Sequence, residues 1–199
     1  WFPMTNGKLY YYENTSLHSV SPNVITNGGV DGGTTGWGFY PDNSGIAVIV
    51  SGDTLLAEAG GDTVLFAASV GDSALSIPEL SAAGTENNAF FTYSGADALP
   101  VGTQFIASAH VHPGLSVTTG RAVLFAKYFT SDYNLVGMDS LGSAVGDLSV
   151  AWNPMEIFAN VPAGTEITQV GVMYVSGGGT GVIYLDEVKM SPIVGNGIA

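Results

Sequence analysis

Glycine and other small turn residues interrupt this chain at short intervals, and the stretches between them are short and rich in Val, Ile, Phe, Tyr and Thr. NGGVDGGTTGWG at 27–38, VSGD at 50–53, EAGGD at 58–62, YSGAD at 93–97 and SGGGTG at 176–181 are the clearest interruptions. No window carries apolar residues at i, i+3, i+4 and i+7 between helix caps. TLLAEA at 54–59 is the one stretch of good helix formers, and it is too short to insist on. Such punctuation forces many short strands joined by tight loops. Candidate strands fall near 23–26, 46–50, 63–69, 89–94, 103–112, 121–129, 135–139, 147–152, 155–160, 166–175 and 181–190.

Alternation is cleanest over 103–112. Phe105, Ala107, Ala109 and Val111 share one face, while Gln104, Ser108, His110 and His112 share the other, with Ile106 the exception. That period of two belongs to a strand with one buried face. Residues 166–175 and 181–190 flank SGGGTG and read as a terminal hairpin. Strands without helices pack as two sheets, so the fold class is all-β, an antiparallel β-sandwich of jelly-roll type. The expected division is an extended N-terminal arm over 1–22, the sandwich over 23–191 and a tail over 192–199. The arm carries the aromatics Trp1, Phe2, Tyr10, Tyr11 and Tyr12 and is expected to pack on its own domain or on a neighbour.

Composition narrows the function classes. The 199 residues carry 4 Lys+Arg against 17 Asp+Glu, a formal charge of −13. Nucleic-acid binding needs a basic footprint that Lys8, Arg121, Lys127 and Lys189 cannot supply. A polybasic membrane patch fails for the same reason. Aliphatic runs such as Ile46–Val50 fall far short of the roughly 20 residues that a membrane helix needs. Cysteine is absent, which removes disulfides, thiol catalysis and Cys-based zinc sites. The chain begins at Trp1 without a charged-then-apolar leader, as expected of a chain that is processed, truncated upstream or read from a mature particle.

The order of several segments resembles jelly-roll carbohydrate-binding modules with a galactose-binding-like fold. Asn23-Val24-Ile25-Thr26-Asn27-Gly28-Gly29-Val30-Asp31-Gly32-Gly33, followed by Gly36-Trp37, resembles their opening. Leu99-Pro100-Val101-Gly102-Thr103 before FIASAHV resembles a mid-domain strand. Val161-Pro162-Ala163-Gly164-Thr165 precedes a strand, and Gly181-Val182-Ile183-Tyr184-Leu185-Asp186-Glu187-Val188 resembles the closing one. The resemblance spans residues 23–191 and speaks to fold more than to function. Val30 stands where the family has Phe, Asp31 where it has Glu, and the arm has no counterpart.

On its strand Asp186 shares parity with Val182, Tyr184, Val188 and Met190, which aims it at the apolar interior. A buried carboxylate needs a partner, and cations are scarce. The resemblance implies a structural Ca²⁺ held by the Asp31 and Asp186 carboxylates, with Asn27 and Gly29 as carbonyl donors. Hard oxygen ligands of that kind suit the ion. The plainer alternative is that Asp186 accepts backbone N–H groups and NGGVDGG is only a turn. His110 and His112 project from one strand face at a spacing that suits a metal, yet no third ligand accompanies them.

A sugar platform would come from exposed aromatics, for which Trp37, Tyr40, Tyr93, Tyr128, Tyr133 and Trp152 are candidates. The competing role for each is sandwich core. No G-x-S-x-G, P-loop or HExxH is present, and no catalytic residue is assigned. Two functions follow as expectations. The arm points to a non-enzymatic structural subunit of an extracellular or virion surface (decoration, tail or filament), assembling with copies of itself or a surface scaffold. The alternative is a secreted module that binds polysaccharide through exposed aromatics.

Overall fold

The computed structural model describes residues 2–3, 9–13, 16–20, 23–41, 45–50, 55–57, 63–65, 68–69, 71–114 and 119–195. Trp1 lies outside them. The strands are β1 Phe2–Pro3, β2 Leu9–Glu13, β3 Ser16–Val20, β4 Trp37–Tyr40, β5 Ala47–Val50, β6 Leu55–Ala57, β7 Thr63–Leu65 and β8 Ser73–Pro78. They continue with β9 Glu86–Tyr93, β10 Gln104–Pro113, β11 Arg121–Phe129, β12 Leu135–Ala144, β13 Asn153–Asn160, β14 Ile167–Val175 and β15 Val182–Gly195. Among the described residues, helix is confined to 3-10 turns at Gly95–Asp97 and Val145–Asp147.

Two antiparallel sheets form the sandwich. One runs β12-β11-β14-β9-β4; the other runs β5-β8-β15-β10-β13. The far end of β15 pairs with β3 through Ile193↔Val20, Val194↔Ser19 and Gly195↔His18, and β3, β2 and β1 continue outward from there. The arm that carries Phe2, Tyr10, Tyr11 and Tyr12 thus has its backbone added to this domain's own sheet.

Alternation builds the core as the residues dictate. Phe105, Ala107, Ala109 and Val111 of β10 pack against Ala122, Leu124, Ala126 and Tyr128 of β11 and Val170, Val172 and Tyr174 of β14 in one buried cluster. Each fully buried large side chain contributes about 1.5–3 kcal/mol. Ile106 lies on the face of β10 away from this cluster, in register with Phe158 and Ser191, and is an apolar side chain buried there.

Several expected elements change. Residues 23–26 are irregular, although Val24 N–H donates to the Met190 carbonyl. Residues 147–152 are not a strand: Asn153 Nδ2 donates to the carbonyls of Ser149 and Ala151 and holds the segment as a loop. TLLAEA contributes a strand, β6, paired with β7. Segments 166–175 and 181–190 are not a hairpin, since β14 and β15 lie in opposite sheets and SGGGTG crosses between them. That crossing is tied by the buried Glu79 carboxylate, which accepts from the N–H groups of Gly177, Gly179 and Gly181 and from the hydroxyls of Thr119, Tyr174 and Ser176. Burial alone would raise the Glu79 pKa, but the three glycine N–H donors and the Thr119 hydroxyl outweigh it and hold it at about 2.

Parity along β15 also shifts. Asp186 is in register with His110, and an irregularity follows at Glu187, whose φ is 54°. Ile183, Leu185, Val188 and Met190 enter the core, so Asp186 does not share a face with Val188 and Met190 as alternation alone predicts. Asp186 is nonetheless fully buried.

Candidate functional site

The outer face of the β12-β11-β14-β9-β4 sheet carries a groove of about 610 Å³. Its floor follows from the register. Gly171 of β14 sits opposite Phe125 on one side and Phe90 on the other, so two rings flank a position with no side chain. A Cβ on Gly171 would stand 2.0 Å from the Ala89 carbonyl oxygen, which reserves the position for glycine. Tyr40 and Tyr133 line the groove and are 62% and 61% exposed, which leaves their ring faces open to a ligand. Tyr133 lies 6.1 Å from Phe129, ring centre to ring centre.

The polar groups are few. Lys127 Nζ pairs with Glu86 Oε2 at 2.8 Å and lies 4.8 Å from the centre of the Phe125 ring. Gln169 and Asn88 complete the polar lining. Asn88 is buried, and its Oδ1 finds no hydrogen-bond partner among the described residues. A buried unpaired carbonyl costs about 1–3 kcal/mol.

The candidate aromatics divide. Tyr40 and Tyr133 belong to the groove. Trp37 does not: it is buried, its ring centre lies 4.4 Å from that of Phe91, and its Nε1 donates to the Asn27 carbonyl at 3.0 Å. Tyr128 is also core, donating its hydroxyl to Asp139 Oδ2 at 2.8 Å. Burial, then Asp139, pushes its phenol well above the ordinary range. Tyr93 packs against the core, and burial pushes its phenol up to about 12. Trp152 packs from the loop preceding β13 against the opposite sheet, beside His112 and Tyr184. Burial lowers the His112 pKa, and His110 Nδ1 meets Ser69 Oγ at 2.5 Å, so the paired histidines are occupied by packing and a hydroxyl.

The four metal candidates sit near one another. Asn27, Gly29 and Asp31 line an open cleft. A Cβ on Gly29 would lie 3.4 Å from Asp186 Oδ1 and 3.9 Å from Asp31 Oδ2, so both carboxylates converge on that glycine. Asp31 Oδ1 accepts from the N–H groups of Asp72 and Ser73, and Asp186 Oδ1 from that of Glu187. The Asn27 carbonyl is taken by the N–H groups of Trp37 and Val30, and its side chain by Gly32, Gly33 and Thr35. The two carboxylates therefore suit a hard cation, whereas Asn27 has spent its acceptors. No group of three or more His, Asp or Glu able to hold a metal occurs among the described residues.

Phe90, Phe125, Lys127, Glu86, Asn88, Met138 and Gln169 were not among the sequence candidates. The signal was present in RAVLFAKYF at 121–129, apolar on both faces where a solvent-facing strand needs only one such face.

No protein-family model matches this chain, and no curated protein does. Solved structures do match. The C-terminal family 22 carbohydrate-binding module of Clostridium thermocellum Xyn10B is 16% identical with a TM-score of 0.53, covering 100% of this chain and 99% of its own. TmCBM61, solved with β-1,4-galactotriose, is 15% identical with a TM-score of 0.50, covering 85% of this chain and 98% of its own. The Stig cyclase Fisc from Fischerella sp. TAU is 12% identical with a TM-score of 0.57, covering 87% and 98%. Against bacteriophage CBA120 tailspike protein 4 the chain spans only 21% of the other's length. The chain shares the antiparallel jelly-roll sandwich fold of these carbohydrate-binding modules and of the cyclase.

Proposed function

We propose that this chain is a non-catalytic glycan-binding module acting outside the cell, with its ligand in the groove between Tyr40 and Tyr133. The observation that carries the reading is the groove itself: exposed rings at its rims, an apolar floor, and a few polar side chains, Gln169 among them, in its lining. Sugars offer apolar C–H faces to rings and hydroxyls to polar side chains, which is what the tyrosines and Gln169 can receive. Neighbours of the same fold include carbohydrate-binding modules, and this favours the glycan reading over a virion or filament subunit. None of the described helices is long and apolar enough to cross a membrane. Calcium at Asp31 and Asp186 is proposed as a structural ion that fastens the Gly29 loop to β15, away from the groove.

Polysaccharide binding measured by calorimetry and affinity electrophoresis tests the reading. Tyr40→Ala and Tyr133→Ala should each weaken binding by about tenfold, or about 1.4 kcal/mol, with little change in melting temperature. Trp37→Ala should instead lower the melting temperature. Wild-type affinity unaltered in both tyrosine variants would place the ligand elsewhere.

A further inference from the structure

We infer that Glu86 sets the ligand class of the groove by neutralising Lys127, so that the site takes uncharged glycans and rejects uronate-bearing ones; this rests on the glycan reading above. Among the described residues that line the groove, Glu86 and Lys127 are the only charged ones. Their 2.8 Å ion pair leaves no net charge in the lining. Lys127 is further occupied by the Phe125 ring beneath it, and its side chain is 15% exposed. Arg121 lies on the same strand, six residues away, in register with Val175 and Ala144 and outside the lining.

A carboxylate entering the groove must therefore either displace Glu86 from Lys127 or lie beside it. Either course places two negative groups around one ammonium, and like charges at close range oppose binding. The surrounding molecule adds to the opposition, since its formal charge is −13. An uncharged sugar meets no such penalty. It can stack on the rings and bond to the Gln169 amide, leaving the ion pair intact. The lysine alone would mark a site for acidic polysaccharide; the glutamate opposite it reverses that assignment.

The test compares affinities for neutral polymers (galactan, xylan, β-glucan) and uronate polymers (polygalacturonate, alginate). The readout is the ratio of the two classes. Wild type should favour the neutral class by at least about tenfold. Glu86→Gln should move the ratio toward uronates by about tenfold, and the gain should shrink with added salt. Lys127→Gln should move it further toward neutral polymers, and the double variant should lack the uronate gain. Melting curves verify that each variant folds. Wild type preferring uronates, or a ratio unmoved in both single variants, overturns the inference while leaving the glycan reading in place. Wild type binding neither class overturns the glycan reading and the inference with it.

Discussion

At the residue scale, the sharpest electrostatic feature is Glu79. Its carboxylate is held at about 2 against an ordinary 4.5 because three glycine N–H groups and the Thr119 hydroxyl favour the charged form more than burial opposes it. A carboxyl that titrates lower in the folded state stabilises the fold fully above pH 4.5, and that stabilisation disappears as the pH falls from 4.5 toward 2. Glu79→Gln should cost about 2–3 kcal/mol at neutral pH, since the amide turns one acceptor into a donor facing donors. Chemical denaturation from pH 7 to pH 2 should show the variant's deficit narrowing toward acid. A constant deficit would mean that the carboxylate's charge is not what stabilises the crossing. Tyr174 belongs to the same cluster, where burial first and Glu79 second push its phenol upward.

At the element scale, β14 shows what backbone approach demands. Gly171 lies where the Ala89 carbonyl and Phe90 Cα leave no space for a Cβ, 2.0 and 2.6 Å away. Gly171→Ala should force β9 and β14 apart and destabilise the fold by about 2–4 kcal/mol, read as a lowered denaturation midpoint. Because the same strand floors the groove, ligand affinity should fall as well. Elements also show what pattern reading can reach. Strand β10 was legible because its two faces differ, and the jelly-roll class followed from turns and strand composition. The β14–β15 crossing was not, because a glycine-rich link permits a hairpin and a crossover equally, and the deciding group, Glu79, is nearly a hundred residues distant. The groove was hidden for a related reason. Lys127 and Glu86 are unremarkable until the fold brings them together from β11 and β9. Trp37 and Tyr128, conspicuous as candidate platforms, were claimed by the core, while Tyr40 and Tyr133 were left outside it.

At the scale of the whole molecule, charge and metal are linked. A chain with formal charge −13 repels itself in the compact state, and an ion shared by Asp31 and Asp186 would relieve part of that. With calcium at about a hundredfold above its dissociation constant, the fold should gain about 2.7 kcal/mol. For a chain of this size that corresponds to roughly 5–10 °C in melting temperature, reversed by EDTA. Asp186→Asn should melt at a temperature independent of calcium. No EDTA shift in the wild type would remove the ion from the account of this fold.

One strand reaches further than its own sheet position. β15 pairs with β8 through Val182–Leu185, with β10 through Ile183–Pro192, and with β3 through Ile193–Gly195. It follows all of its partners along the chain, so during synthesis it is the last of them to leave the ribosome. Until it arrives, among the described strands β8 and β10 have no common neighbour and β3 has only β2 to pair with. Folding of this sheet therefore closes late: earlier strands wait with open edges, and a single late insertion joins them.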